Sequence, residues 1–84
     1  MNIDLLIKMA NEITSFWEGE APTHEAAVKE VASHIRRFWE PRMRAQVFTY
    51  LEQRHGAGLN ETALAAVTQL AAQARQEKAT AVAS

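Results

Sequence analysis

Apolar side chains along this chain recur at three- and four-residue spacing in four stretches, separated by short segments rich in polar residues, glycine or proline. In the first stretch Leu6, Met9, Ala10, Ile13, Phe16 and Trp17 fall on one side of a helical repeat, with Asn2 placed to cap its start and Gly19 to end it. The pattern predicts an amphipathic helix of about four turns. Glu20, Ala21 and Pro22 read as a turn, and Thr23 caps a second helix whose stripe is Val28, Val31, Ala32, Ile35, Phe38 and Trp39. Both aromatics of that stripe are expected in the core.

Pro41 stops the second helix, because proline lacks an N–H donor and pushes Glu40 out of the α region. A new helix over 41–54 is expected there, with a kinked continuous helix as the alternative; in both the chain bends. Met43, Val47, Tyr50 and Leu51 share one face of this third helix, which ends at His55-Gly56-Ala57-Gly58. Leu59 then precedes Asn60 as a cap, and Leu64 stands at the spacing of a hydrophobic staple. Leu64, Val67, Leu70, Ala71 and Ala74 form the stripe of the fourth helix. The expected fold is all-α: one domain over 1–78, a small bundle of four mostly antiparallel helices, the first two forming a hairpin, with a bend at Pro41 and a disordered tail over 79–84.

Sliding the first helix by 22 positions lays Phe16-Trp17-Glu18 on Phe38-Trp39-Glu40, and Leu6, Met9 and Ile13 on Val28, Val31 and Ile35. A duplicated helix and two helices of shared phase both explain this. In an antiparallel hairpin the two Phe-Trp pairs would close opposite ends of the core.

At 84 residues the chain is near the size at which a single core stabilises a fold by only a few kcal/mol, so a partner surface could supply further burial. A hydrophobic fraction of 48% with 23% charged residues argues against wholesale disorder. With no cysteine, thiolate metal sites, cysteine-held iron–sulfur clusters and thiol nucleophiles are excluded for this chain. The N-terminus lacks the features of a secretory signal, and no apolar run approaches the ~20 residues of a membrane span; a cytoplasmic protein is expected.

The net charge of −1 offers no general attraction to nucleic acid or to an acidic membrane, but its distribution is uneven. Residues 1–33 set Lys8 and Lys29 against Asp4, Glu12, Glu18, Glu20, Glu25 and Glu30, whereas 34–44 set Arg36, Arg37, Arg42 and Arg44 against Glu40 alone. That second segment, His34-Ile35-Arg36-Arg37-Phe38-Trp39-Glu40-Pro41-Arg42-Met43-Arg44, is the densest in chemistry.

Three readings stand beside one another. The arginines form a solvated rim with Glu40 as an internal partner, a contact worth at most about 1 kcal/mol at the surface. They form an interface, since arginine and tryptophan are enriched at binding hot spots and a guanidinium fork suits carboxylates. Or they hold an anion such as a nucleotide, a pterin phosphate or formate, although no glycine-rich phosphate loop accompanies them. The interface reading places Arg36, Arg37, Phe38, Trp39, Glu40, Pro41, Arg42, Arg44 and Phe48 at a partner surface. Phe48 is included because it lies about 140° from Met43 and so off the main stripe, which suggests a second buried face.

His24, His34 and His55 are candidate ligands, and Glu30 with His34 has the i, i+4 spacing of a helix-face pair. Two ligands do not make a metal site, and structural roles account for all three histidines. Ser15 and Ser33 are helical serines without a matching base. No catalytic, cofactor-binding or metal site is therefore assigned.

The eleven-residue run containing Arg36-Arg37-Phe38-Trp39-Glu40-Pro41-Arg42-Met43-Arg44 closely resembles the signature of the delta subunit of NAD-dependent, molybdenum-containing formate dehydrogenases. Met1-Asn2-Ile3-Asp4, Ile7-Lys8-Met9-Ala10-Asn11 and Gly56-Ala57-Gly58-Leu59 look like the same family, so that the resemblance spans about residues 1–64. It implies a non-catalytic accessory subunit of a soluble bacterial complex. The molybdenum cofactor, iron–sulfur clusters, FMN and NAD are then expected in partner subunits and none on this chain. The implied partners are the large catalytic subunit and the other subunits of that complex, with roles in assembly, stability or cofactor loading. A self-associating homodimer is the alternative, a small chorismate-mutase-type enzyme a further one; no nucleic-acid or membrane partner is expected.

Overall fold

The computed structural model describes the backbone of residues 2–83 and the side chains of residues 2–77. Four helices follow one another: α1 (Ile3–Glu20), α2 (His24–Phe38), α3 (Pro41–Arg54) and α4 (Glu61–Ala83). The described residues form no strand. Helical backbone continues through 79–83, the tail expected to be disordered; the side chains there and all of Ser84 lie outside the described residues.

Local chemistry sets the helix boundaries. Asn2 Oδ1 accepts from the Asp4 N–H at 2.8 Å, and Asp4 in the first turn suits the positive helix end. Thr23 Oγ1 accepts from the Ala26 N–H at 3.0 Å. Gly19, the expected stop of the first helix, is passed by one residue. At the bend Trp39 and Glu40 leave the helical region, with ψ values of 136° and 151°, and for Glu40 the following proline disfavours the helical region. Pro41 then opens α3, where its missing N–H leaves no bond unmade. The chain is thus broken into two helices at the bend.

α2 and α3, although consecutive, have little contact with each other; α1 and α4 each pack against both. α2 and α3 therefore occupy opposite corners. The most extensive contact joins α2 to α4, and the buried face of α4 includes Ala63 and Ala66, both fully buried, beside Val67 and Leu70. Small side chains let two backbones approach closely. The sequence pattern, which weights bulk, picked Leu64 for this face; Leu64 is only half-buried and packs over Gly56 with Leu59.

Leu6, Ala10, Val28, Val31, Ile35, Trp39 and Val47 complete the core. The two phenylalanines expected with them are outside it: Phe16 is 60% and Phe38 70% exposed. Phe38 lies seven residues from Val31, hence about 20° from it around the axis. The direction is right for burial, but Phe38 ends its helix and stays largely exposed with the His34 ring against it. Trp39, already off the helix, is 5% exposed. In both Phe-Trp pairs the indole goes inward, Trp17 being half-buried, while the phenyl ring stays out.

Candidate docking surface at the bend between α2 and α3

The arginines at the bend divide into two kinds. Arg36 donates to Glu77 Oε1 at 2.9 Å and to Gln73 Oε1 at 3.4 Å, tying α2 to the distal half of α4. Arg44 Nη1 donates to the Arg36 carbonyl oxygen at 2.9 Å, placing a cation on one of the carbonyls left free at the α2 C-terminus. Together they bind α2, α3 and α4 into one block. Arg37 and Arg42, both exposed, form no ion pair among the described residues. Neither does Glu40, the expected internal partner.

Phe38 lies between those two arginines in sequence, its ring 4.8 Å from the His34 ring and tilted by 39°. Arg42 rims an open groove of about 470 Å³ with Ile3, Ala45, Thr49 and Tyr50. Glu40, Pro41 and Arg42 are all exposed, so the bend presents a short acidic, proline and arginine ridge beside a bare phenyl ring. The N-terminus of α3 has no side-chain cap and no acidic residue in its first turn, so the partial positive charge of its free N–H groups adds to that of the guanidinium groups.

Two expected members of the surface point elsewhere. Trp39 is core, and Phe48 is half-buried in a cleft formed with Arg36, Arg44, Leu70 and Ala74. The second buried face inferred for Phe48 is α4 of the same chain. With Arg36 and Arg44 also engaged inside the chain, Arg37, Phe38, Glu40, Pro41 and Arg42 remain as the outer chemistry of the bend.

A second polar cluster escaped the sequence reading. Asn11 Nδ2 donates to the Gly58 carbonyl oxygen at 2.9 Å, and Asn11 Oδ1 accepts from the Asn60 N–H at 2.9 Å. Asn60 Oδ1 caps α4 by accepting from Ala63 N–H at 2.8 Å, and its amide group donates to Thr14 Oγ1. Thr62 Oγ1 donates to Glu18 Oε1 at 2.7 Å. Thr14 and Thr62 are buried, yet no buried side-chain polar atom among the described residues is left without a partner. The cluster clamps α1 to the start of α4.

Among the described residues no three His, Asp or Glu side chains gather at a point, and Glu30 with His34 remains a pair. His24 Nδ1 stands 3.5 Å from Thr62 Oγ1, His34 backs Phe38, and His55 ends α3 in the left-handed region at φ 55°. The chain has no cysteine thiolate, the usual ligand of an iron–sulfur cluster. No helix among the described residues is long and apolar enough to cross a membrane.

The fold and surface define a small all-helical protein whose outward chemistry is concentrated at an arginine-rich, aromatic bend. Residues 5–67 match the NADH-dependent formate dehydrogenase delta subunit family, FdsD, and the chain belongs to that family. The matched span contains the whole bend and the Asn11–Asn60 clamp and ends before Gln73 and Glu77. No curated protein matches the chain, and no solved structure matches it.

Proposed function

We propose that this chain is the accessory delta subunit of an NADH-dependent formate dehydrogenase complex, docking on the large catalytic subunit to support assembly, stability or molybdenum cofactor loading. The observation that carries the proposal is the bend itself: within the family's matched span, a 70% exposed phenylalanine stands beside Arg37 and Arg42, neither of which has an internal ion-pair partner among the described residues. An arginine fork offered to carboxylates beside an apolar anchor is the composition of a binding hot spot. The molybdenum cofactor, iron–sulfur clusters, FMN and NAD belong in this reading to the partner subunits, and the site of action is cytoplasmic.

An enzyme of the mutase type is poorly supported by the same geometry. The cleft that gathers two arginines, Arg36 and Arg44, holds about 50 Å³ and has the carboxylate of Glu77 in its wall, too little room for a dicarboxylate.

Tagged chain recovered from its native cytoplasm, with mass identification of partners and metal analysis of the eluate, tests the function. Recovery of formate dehydrogenase subunits with molybdenum and iron is expected; recovery of this chain alone would overturn the accessory role. R37E/R42E tests the surface: loss of those subunits with the helical content unchanged is expected, and undiminished recovery would move the docking site off the bend.

A further inference from the structure

α1 carries an outward face that the bundle leaves uncovered. Leu5 is 44% and Phe16 60% exposed, and Met9 between them is half-buried. Leu5, Met9, Glu12 and Phe16 follow one another at spacings of four, three and four residues, the seam of two successive heptads. They form a line along the helix roughly 100° around its axis from Leu6 and Ala10, which face the core.

The charges on this line are self-complementary. Lys8 borders the seam and Glu12 lies on it, and neither forms an ion pair among the described residues. When α1 is set antiparallel to its own copy about a two-fold axis at mid-helix, Leu5 faces the second copy's Phe16 and Met9 faces its Glu12. Lys8 then falls within one residue's rise, about 1.5 Å, of the level of that same glutamate. The two-fold repeats every contact, so two apolar pairs and two ion pairs form together. A charge at a single seam position fixes register, and in this register each Glu12 gains the second copy's Lys8 in addition to the Lys8 one turn before it on its own helix. One surface supplies both halves of the complementarity, which favours a second copy of the chain over an unrelated partner.

We propose that α1 is a self-association surface, pairing antiparallel with α1 of a second copy through Leu5, Lys8, Met9, Glu12 and Phe16. The surface is separate from the bend and does not depend on what docks there. With 18 residues the helix is about 27 Å long, and one helix face buries less than the ~1,200 Å² of a stable interface. The pair is therefore weak in the isolated chain and is strengthened where other contacts hold two copies together.

Sedimentation velocity of the full chain from micromolar to millimolar concentration tests this. A concentration-dependent monomer–dimer equilibrium is expected. K8E or E12K alone turns two attractive contacts repulsive and weakens association about tenfold. Mixing K8E with E12K restores opposite charges at both contacts, so a heterodimer of near-parental affinity forms. L5S removes the dimer while circular dichroism stays that of the parent, because Leu5 is outside the core. A chain monomeric at every concentration, a dimer indifferent to K8E and E12K, a mixture that fails to recover, or a dimer abolished by R37E instead would each overturn the proposal.

Discussion

The junction of α1 with α4 and the bend between α2 and α3 both bring polar side chains to a place where the chain changes direction, yet they treat those side chains oppositely. At the first, Asn11, Thr14, Asn60 and Thr62 bond to one another, to backbone groups or to Glu18. Burial there is possible only because each group is satisfied, an unpaired one costing about 1–3 kcal/mol. At the bend, Arg37, Phe38 and Arg42 are left without internal partners of their chemistry, apart from the His34 ring against Phe38. An exposed phenyl ring between unpaired cations adds little to the stability of the fold, which is why the bend is the surface we propose for docking.

The sharpest break in that comparison runs between adjacent residues. Trp39→Ala removes the one bend side chain that belongs to the core, 5% exposed, and is expected to cost about 3–5 kcal/mol in chemical denaturation. A loss below about 1 kcal/mol would mean that the indole is not a pillar of the core. Gly56→Ala comes next. Gly56 holds φ at 72°, and a Cβ there would lie 2.6 Å from Leu64 Cδ1; left-handed strain and crowding of the staple together should cost about 2–3 kcal/mol.

Asn60→Ala tests the clamp, removing the cap of α4 and the donor to Thr14 at once. A loss of about 2 kcal/mol is expected. Asn11→Ala should cost nearly as much, and the double variant less than the sum of the two, because Asn11 Oδ1 holds the main-chain N–H of the same residue whose side chain caps α4. Strict additivity would show that the two asparagines act independently.

The contrast between the junctions also marks what the sequence could reveal. Asn2, Thr23, Asn60 and Pro41 act within a turn of their own position, so each boundary was legible from local chemistry. Leu59 with Leu64 was legible for the same reason. Coverage was not: the helical repeat gives the direction of Phe38 and Phe16 but cannot say whether another element lies there. Ala63 and Ala66 were passed over because small residues carry little hydrophobic signal, although both are fully buried. The clamp joins residues 44 to 49 positions apart, beyond any local period. The division of the arginines depended on Glu77 and Gln73, which only the fold brings to Arg36.

That division sets the smaller effects. Arg36→Ala loses an ion pair whose side chains are 55% and 64% exposed, and should cost no more than about 1 kcal/mol. The value is small because water competes for both groups, while the Arg44 bond to the Arg36 carbonyl survives the substitution.

Phe38→Ala should be the quietest change for folding and among the loudest for association. The ring is 70% exposed and its one ring contact is with His34, so denaturation should shift by about 0.5 kcal/mol or less. If the bend is a docking surface, the same truncation removes its apolar anchor, and affinity for the formate dehydrogenase large subunit should fall at least about thirtyfold, the ~2 kcal/mol threshold of a hot spot. Titration of the large subunit with parent and variant measures the second effect, and denaturation of the same preparations the first. Unchanged affinity would show that the exposed ring is incidental and leave Arg37 and Arg42 to carry the contact by charge. A stability loss of several kcal/mol would show that the ring is covered by the chain's own packing and erase the contrast between the two junctions.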